Sequence, residues 1–484
     1  MKKTFLFAAA LLLFAGFTSC TKDDDKGGEQ TPVDPIESVT AVDGSQIATA
    51  TISHENKTID FGQFKELIDI SKVQVTFKLA KGVVMKSPAT TEATVSLINP
   101  LTVTVNDGTK DISYTMTGTG QDIPDPVISA KAGGVDATIE GRDITIAYAD
   151  GMDASALALT LDLQDGATVT SPDPLTFDLE FAESAEVVVN YFDTDYTYTV
   201  KLSGYQNPFI ARGWSDVTAD YGQVPDYIKV YKIPAINGLE GEVGYVVLLL
   251  PGATMGIVGG VDNTMTVAEA VKGYDYTVYF ATSSTTIPTM VNDGVVVAES
   301  NYSEPMLAQD ADGNFSFEMG QRFDSQFYSF PFRKGASNNT YIPREVTDGT
   351  AWNFKSACGT FNALVWDGAV VTMNEAGANS SYCTWMGDGS KNARAGIGVL
   401  KSGKPILFNT QGPVTGVIDC KGQTHEDVAA ELIAVGCDRA GVVEGSGTPS
   451  LVVNGKHTAI NKNDPAGDCT GTSLKKLVGA LAVK

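Results

Sequence analysis

The sequence predicts a multidomain protein in which two all-β sandwiches precede a domain that combines helices and strands. Three observations support this fold class. They are an internal repeat of β-rich sequence, a change of composition near residue 207, and helical spacing of apolar residues in the second half of the chain. With 484 residues and 43% hydrophobic content, the chain can fill several cores, and we expect three folded domains.

The amino terminus has the pattern of a secreted, lipid-anchored protein. Two lysines precede an apolar run at residues 5–17, and small residues lead into Cys20. This order predicts a signal peptide over residues 1–20, whose apolar part is too short for a lasting membrane span. Cys20 resembles the acylated cysteine of the bacterial lipobox, which implies lipidation at this residue. The alternative is an ordinary signal peptide with an incidental cysteine.

Residues 21–36 are predicted to form an acidic, flexible linker, because their composition cannot bury enough apolar surface to order itself. The acidic residues after Cys20 resemble the surface-export signal of some Gram-negative lipoproteins, although a solvated tether has the same composition. We therefore expect an outer-membrane lipoprotein of the cell envelope, exposed at the cell surface. A formal net charge of -24 disfavours nucleic acid as a partner, since binding a polyanion needs a basic face.

A repeat follows the linker. Ser87-Pro88 recurs as Ser171-Pro172, and the strand-like run at 111–116 recurs at 195–200. The offset is 84 residues in both cases, since 171 − 87 and 195 − 111 both equal 84. A constant offset between unrelated local patterns indicates that one structural unit occurs twice.

Each copy is rich in alternating apolar and β-branched residues, as at 73–79 and 157–163. Period-two strands at short spacing in a unit of this length predict a small β-sandwich, and two immunoglobulin-like modules fit best, at 37–122 and 123–206. Neither copy carries a set of residues suited to nucleophilic catalysis. We interpret both as spacers, with a separate binding site as the alternative.

The last domain, residues 207–484, is predicted to be α+β with a mixed sheet. Strands are predicted at 227–232 and 243–250, and the second is so apolar that we expect burial on both faces. Apolar spacing predicts helices at 267–272 and 426–435. The closing residues of the chain are predicted to form a strand that returns to the sheet.

The segment 423–456 carries the most information about function. Its helix ends at Gly436, and the apolar strand that follows ends abruptly in a loop of small residues. The members of this loop that bear on chemistry are Glu444, Gly445, Gly447 and Thr448. Glycines in such a turn let backbone N–H groups approach an anion closely, although a tight hairpin is the simpler alternative.

This helix, strand and loop resemble a segment of the phosphodiester glycosidase family, the relatives of the enzyme that uncovers mannose 6-phosphate by removing N-acetylglucosamine. There, a T-x-x-E-L-A helix precedes a strand ending L-D-G-G-G-S-S, and here the loop reads V-E-G-S-G-T-P. Three upstream segments match in the family's order. They are 290–294 for N-G-G, 356–368 for G-x-x-P-x-L-V-x-D-G, and 392–408 for the R-T-A-I-G strand, turn and strand.

The resemblance implies a hydrolase that cleaves a sugar-1-phosphodiester of the N-acetylglucosamine type. Carried over by motif, the candidate catalytic residues are Glu444, in place of the family's aspartate, and Arg394, whose guanidinium fork would hold a phosphate oxygen. The candidate substrate-binding residues are Asn292, Gly294, Gly445, Gly447 and Thr448. The implied partner is a carbohydrate or phosphosugar substrate.

Departures from the family pattern leave alternatives open. Glu444 is one methylene longer than aspartate, Asp293 replaces the second glycine of N-G-G, and Ser446 and Pro449 stiffen the loop. One alternative is a catalytically impaired relative that binds a glycan or phosphosugar at the cell surface. Another is a structural or adhesive surface protein, which would need neither Glu444 nor Arg394.

Cysteine chemistry is less informative. Five cysteines follow Cys20 in a compartment that permits disulfides, namely Cys358, Cys383, Cys420, Cys437 and Cys469. A bridge between Cys420 and Cys437, or from one of them to Cys469, would fasten the helix before the acidic loop, but spacing does not determine connectivity.

The chemistry requires no cofactor, and a structural divalent cation is compatible with the sequence. Zinc is disfavoured, because no short C-x-x-C pair occurs and the three histidines are scattered.

Overall fold

A computed structural model of the chain describes thirteen segments and one single residue. They are 34–43, 45–64, 69–120, 124–192, 194–236, 243–281, 288–300, 303–332, 346–371, 390–445, 450–460, 463–470, 474 and 476–484. Cys20 and the predicted signal peptide lie outside these residues. The chain divides into two compact units, one of residues up to 128 with 162–170 and 188–196, the other of 129–161, 171–187 and 197–484.

The repeated region consists of strands. They are β1 Ile36–Asp43, β2 Ser45–Thr49, β3 Thr51–Ser53, β4 Thr58–Gln63, β5 Val73–Leu79, β6 Val84–Ser87, β7 Glu92–Val95, β8 Leu101–Asn106, β9 Asp111–Thr119, β10 Val127–Ala132, β11 Val135–Asp136, β12 Thr138–Glu140, β13 Asp143–Ala147, β14 Leu157–Leu163, β15 Thr168–Ser171, β16 Thr176–Phe177, β17 Ala185–Tyr191 and β18 Thr194–Ser203. Both strands predicted by alternation, β5 and β14, have the expected bounds.

The two copies of the repeat have the same topology. The first has sheets of order β2-β1-β5-β7 and β3-β4-β9-β8-β6, and the second has β11-β10-β14-β16 and β12-β13-β18-β17-β15. Adding nine to each strand number of the first copy gives the strand orders of the second copy. Each copy also has a parallel pair, β4 with β9 and β13 with β18. The repeat is therefore structural as well as sequential, while the immunoglobulin-like class and the boundaries at residues 122 and 206 stay predictions.

Among the described residues, the remaining elements are mainly strands, with three short α-helices. The helices are α1 Pro208–Ala211, α2 Val267–Gly273 and α3 His425–Ala434. The strands are β19 Ser215–Asp216, β20 Ile228–Ile233, β21 Gly244–Leu249, β22 Met255–Gly259, β23 Val278–Ala281, β24 Met290–Asn292, β25 Val295–Ala298, β26 Glu304–Gln309, β27 Phe315–Phe323, β28 Gln326–Phe330, β29 Thr350–Ala351, β30 Ser356–Gly359, β31 Asn362–Trp366, β32 Ala369–Val370, β33 Arg394–Leu400, β34 Pro405–Thr410, β35 Cys437–Gly445, β36 Leu451–Val453, β37 Lys456–His457 and β38 Gly479–Val483.

These strands form three antiparallel sheets, so the prediction of a mixed sheet is wrong. Their orders are β19-β20-β21-β34-β33-β35-β31-β32, β22-β38-β23-β36-β37 and β25-β24-β30-β26-β27-β28-β29. The pairs beside the predicted helix are all antiparallel. Strands β34 and β35 run in the same direction but lie on opposite sides of β33. Helix α3 thus spans a crossover over an intervening antiparallel strand rather than joining two parallel neighbours.

Helices α2 and α3 confirm the two predicted from apolar spacing. Helix α3 begins at a capping box, in which the Thr424 side chain accepts from the backbone N–H of Asp427 and the Asp427 carboxylate accepts from that of Thr424. Its apolar face, with Val428 and Leu432, packs into the largest core of the chain. Gly436, at φ +86°, follows the C-cap of the helix and directly precedes β35.

Every residue of β33 and β34 is buried, which lets these strands form the centre of the eight-stranded sheet. The small residues of β33 permit this packing. A Cβ at Gly396 would overlap the carbonyl oxygen of Gly441 and the ring of Phe408. The described part of the chain contains no helix that is both long and apolar enough to cross a membrane.

Candidate functional site

Two candidate catalytic residues lie at one end of the eight-stranded sheet. Arg394 begins β33 and Glu444 lies next to the end of the neighbouring strand β35. In the register of this pair, Arg394 is opposite Gly445 and Ala395 is opposite Glu444. Residue 444 therefore occupies a position diagonal to residue 394 on the adjacent strand. The structure brings the backbones of these two predicted residues together.

Arg394 has a buried side chain, with 2% of its surface exposed. Its Nη2 donates to the carbonyl oxygen of Ser390 at 2.6 Å, and its backbone N–H donates to Thr410 Oγ1 at 2.8 Å. A guanidinium keeps its charge at every physiological pH, and burying a charge is costly unless it is hydrogen-bonded or paired. Arg394 is therefore a fixed positive charge at this end of the sheet, held by both its side chain and its backbone.

Other polar side chains lie at the same end of the sheet and were missed by sequence reasoning. Thr410 ends β34, Asn409 precedes it, and Asn362 begins β31. Asn409 is 1% exposed, and neither atom of its carboxamide has a hydrogen-bond partner among the residues that the structure describes. The available signal was the polar run Asn409-Thr410-Gln411, which interrupts an otherwise apolar strand. These residues give the site neutral donors and acceptors beside the cation.

The candidate residues of the N-x-G motif are in a different sheet. Asp293 and Gly294 have φ of 50° and 78° and form the tight turn between β24 and β25. The Asn292 Oδ1 atom accepts a hydrogen bond from Ile257 N at 3.0 Å, and Gly294 N donates to Lys355 O at 2.7 Å. In the described structure, Asn292 and Gly294 thus connect strands of the fold.

The remaining loop residues can be placed only in part. Glu444 and Gly445 belong to β35, and the structure describes their backbone but not the Glu444 side chain. The predicted substrate-binding residues Gly447 and Thr448 lie outside the described residues. Their roles stay predictions.

Glu304 is a buried acid that sequence reasoning also missed. It begins β26, and its Oε1 atom accepts a hydrogen bond from Thr289 N at 2.5 Å. Burial raises the pKa of the Glu304 carboxyl to about 8, and the hydrogen bond from Thr289 opposes the rise. Gly359 leaves no room for a Cβ beside Glu304 Oε1 and lies within the family-like segment 356–368, while Thr289 directly precedes the segment 290–294. Glu304 is therefore a protonated acid at neutral pH.

The predicted disulfides are not formed among the described cysteines. No bridge joins Cys358, Cys420, Cys437 and Cys469 to one another. Cys437 lies in the largest core, Cys469 lies in a second apolar cluster, and Cys420 is half-buried with its Sγ 3.8 Å from Gln411 O. Burial raises the pKa of the Cys437 thiol far above its usual range. The packing thus holds these cysteines in separate surroundings, and α3 is fastened by its capping box and its apolar face.

The sequence profile of the phosphodiester glycosidase family matches residues 266–483, which confirms the predicted resemblance. A similar solved structure is the catalytic domain of zebrafish N-acetylglucosamine-1-phosphodiester alpha-N-acetylglucosaminidase, auto-inhibited by its pro-peptide. It is 16% identical, with 56% of this chain and 81% of that chain covered and a TM-score of 0.36. A hypothetical protein from Synechocystis is 12% identical, with 86% and 91% covered and a TM-score of 0.38. No curated protein matches the chain.

Proposed function

We propose that this chain, whose residues 266–483 match the sequence profile of the phosphodiester glycosidase family, hydrolyses a sugar-1-phosphodiester. The observation that carries the proposal is the position of Arg394, a buried cation one register step from Glu444 at the end of two adjacent strands. Phosphodiester substrates carry a negative charge, and a guanidinium binds phosphate oxygens in a bidentate manner. The preferred substrate is an N-acetylglucosamine-type 1-phosphodiester.

The reaction adds water across the bond between the anomeric carbon and the phosphate oxygen. The water oxygen bonds to the anomeric carbon, the carbon–oxygen bond breaks, and a phosphate monoester leaves with the electron pair. The proton that the water loses passes to the departing phosphate or to solvent. The departing group is already a good anion, so stabilisation of its charge matters more than a strong general acid. In this proposal Arg394 binds the phosphate and Glu444 stabilises the oxocarbenium-like sugar. Gly445, Gly447 and Thr448 contribute donors from the loop.

We further propose that the protein acts at the surface of the cell envelope. The support is the sequence pattern around Cys20, with lipid attachment at that residue followed by an acidic linker. A lipid anchor would hold the hydrolase at the outer membrane, where the substrate would be an extracellular or envelope phosphosugar. Metabolic labelling with a lipid precursor tests this proposal, because Cys20→Ala abolishes label incorporation if Cys20 is the acylated residue.

The hydrolase proposal is tested with residues 21–484 and a panel of sugar-1-phosphodiesters that includes N-acetylglucosamine. We expect turnover by the unmodified chain, and a loss of kcat/KM on the order of 100-fold or more in Arg394→Ala and in Glu444→Gln, because both remove charge stabilisation of the transition state. Glu426→Gln and Arg142→Ala are the matched controls. Glu426 is an exposed acid of α3, and Arg142 lies in the second repeat.

Three outcomes separate the interpretations. Turnover that both site variants abolish and both controls retain supports the hydrolase. Binding of a phosphosugar without turnover, weakened by Arg394→Ala, shows that the chain is a binding relative in which the longer Glu444 has ended catalysis. If neither turnover nor binding responds to Arg394→Ala, the proposed site is wrong.

A further inference from the structure

We propose that His457, Asp464 and Cys469 form a binding site for a zinc ion. The imidazole nitrogen, carboxylate oxygen and thiol sulfur that these residues offer all lie within 4.8 Å of one another. The proposal is independent of the hydrolase activity, because none of the three residues belongs to the candidate site at the end of the eight-stranded sheet.

All three donors are buried. The side chains of His457 and Asp464 are 0% and 1% exposed, and Cys469 is 3% exposed. A carboxylate removed from water in this way requires strong partners, since an isolated buried charge is costly. The backbone N–H of Cys469 supplies one, donating to Asp464 Oδ2 at 2.7 Å. A cation bound by the same carboxylate would supply a second and stronger partner.

The geometry of the pair His457 and Asp464 fits a shared metal ion. His457 Nε2 lies 3.2 Å from Asp464 Oδ2, yet among the described residues neither ring nitrogen of His457 has a partner with hydrogen-bond alignment. Two ligand atoms on one tetrahedral zinc, each about 2.0–2.1 Å from the metal, are separated by about 3.3 Å. The observed separation matches the edge of such a tetrahedron, as expected for two atoms that face a common point.

The backbone holds the three residues in place. His457 lies on β37, and its N–H donates to Gly467 O at 3.0 Å. Gly467 N donates in turn to Asp464 O at 3.0 Å, which closes the turn that carries Asp464. Cys469 has φ of +60°, a conformation that residues other than glycine adopt uncommonly, and its Sγ lies within 4.8 Å of the donor atoms of His457 and Asp464. The site is therefore largely formed before any metal binds.

The donor set selects zinc over other common ions. Calcium and magnesium prefer oxygen ligands, whereas zinc accepts nitrogen, oxygen and sulfur together. Three protein ligands leave a fourth position for water. Binding converts the Cys469 thiol to a zinc-bound thiolate, and the displaced proton goes to solvent, so zinc uptake releases one proton. The residues are separated by seven and five positions, since 464 − 457 is 7 and 469 − 464 is 5, and no short sequence motif reveals them.

Zinc at this site would stabilise the segment that follows β36. Ile460, three residues after His457, donates its N–H to Gln411 Oε1 at 2.8 Å, and Gln411 Nε2 donates to Ile460 O at 3.0 Å. A ligand that binds only the folded state raises the stability of that state by mass action. We therefore expect zinc to raise the melting temperature of the chain, and removal of zinc by a chelator to lower it.

The test uses residues 21–484, stripped with a chelator and then reloaded with zinc or cobalt. We expect one zinc per chain by mass spectrometry, proton release on uptake, and a near-ultraviolet charge-transfer band from thiolate to cobalt. Cys469→Ser should abolish that band, whereas Cys420→Ser, which changes a half-buried cysteine elsewhere, should retain it. His457→Gln should weaken zinc binding more than about 100-fold, since losing even an outer-shell partner of a ligand costs about 10–100-fold.

Two results would overturn the proposal. One is a stripped, folded chain that takes up no stoichiometric zinc or cobalt. The other is a charge-transfer band that persists in Cys469→Ser. If Cys469→Ser fails to fold, as judged by circular dichroism, the nearly isosteric Asp464→Asn replaces it, and unchanged zinc affinity in that variant also contradicts the site.

Discussion

The buried carboxyl of Glu304 makes the stability of the folded chain depend on pH. Its carboxyl is enclosed by β26, Thr289 and Gly359, and its pKa rises from an ordinary value of 4.5 to about 8. Below about pH 4.5 the acid is protonated in both the folded and the unfolded chain. Between pH 4.5 and 8 the unfolded chain loses the proton while the folded chain keeps it, so stability falls as pH rises and levels off above about pH 8.

We predict that Glu304→Gln removes most of this pH dependence. Glutamine keeps the oxygen that accepts from Thr289 N but cannot ionise, so the variant should be more stable than the unmodified chain at pH 8 to 9. The gain is at most on the order of 4–5 kcal/mol, because a pKa difference of one corresponds to about 1.4 kcal/mol. Melting temperatures from pH 5 to 9 provide the measurement, with exposed Glu426→Gln as control. Parallel pH profiles for Glu304→Gln and the unmodified chain would refute the assignment.

A comparison of individual residues shows which parts of the candidate site the sequence predicts. Arg394 and Glu444 were predicted because they lie in segments that match a family in order. Asn409 and Asn362 were not, since a short polar run at the end of an apolar strand carries no periodic signal and the importance of its residues depends on burial. The proposed zinc ligands escape sequence reasoning for the same reason, because only the turn between Asp464 and Gly467 brings them together.

At the scale of elements, close strand packing positions the site. Gly396 of β33 has Gly441 of β35 on one side and Phe408 of β34 on the other, and neither neighbour leaves room for a methyl group. We predict that Gly396→Ala costs about 1–3 kcal/mol of stability through overpacking and lowers activity by shifting Arg394 relative to Glu444. Thermal unfolding and turnover of one preparation measure both effects.

The matched control is Gly273→Ala at the end of α2, where an added Cβ meets no atom within 4 Å. That change should be neutral or stabilising by about 0.4–1 kcal/mol, because it restricts the unfolded chain. Equal effects of the two substitutions on stability would show that the close contacts around Gly396 do not cause the destabilisation.

Helix α3 depends on its first turn. The Thr424 side chain accepts from Asp427 N at 3.1 Å, and the Asp427 carboxylate accepts from Thr424 N at 3.2 Å. We predict that Thr424→Ala lowers the free energy of unfolding by about 1 kcal/mol, whereas Thr424→Ser, which keeps the hydroxyl, stays close to the unmodified chain. Thermal unfolding compares the three proteins. A loss of the same size in Thr424→Ser would attribute the effect to the threonine methyl group rather than to the cap.

Periodicity predicted the individual elements better than their arrangement. Alternation placed β5 and β14, and apolar spacing placed α2 and α3, because these patterns report local burial. The direction of neighbouring strands is not local. Helix α3 connects β34 and β35, which run parallel to each other but are separated by β33. The order strand, helix, strand along the chain therefore does not indicate that every neighbouring pair in the sheet is antiparallel.

For the molecule as a whole, the second repeat is more than a detached spacer. Lys404, in the turn between β33 and β34, has a side chain only 7% exposed, and its ammonium lies 2.7 Å from Asp178 and 2.8 Å from Glu180. The same ammonium lies 5.8 Å above the ring of Phe181. Asp178, Glu180 and Phe181 belong to the second repeat, and Lys404 belongs to the segment 266–483 that matches the family profile. These residues fall within one compact unit.

We predict that Lys404→Met lowers the stability of this unit by about 3 kcal/mol, because it leaves two carboxylates without their cation. Asp178 is 38% exposed and can be solvated, which places the loss at the low end of the range for buried ion pairs. Adding Asp178→Asn and Glu180→Gln should recover part of the loss, since no unpaired charge then remains.

The control is Lys401→Met, which changes an exposed lysine three positions earlier. Thermal unfolding and proteolysis at residues 204–208 measure the coupling. If Lys404→Met and Lys401→Met behave alike, the repeat and the segment 266–483 are joined by the chain alone, and the interpretation of the repeat as a spacer holds.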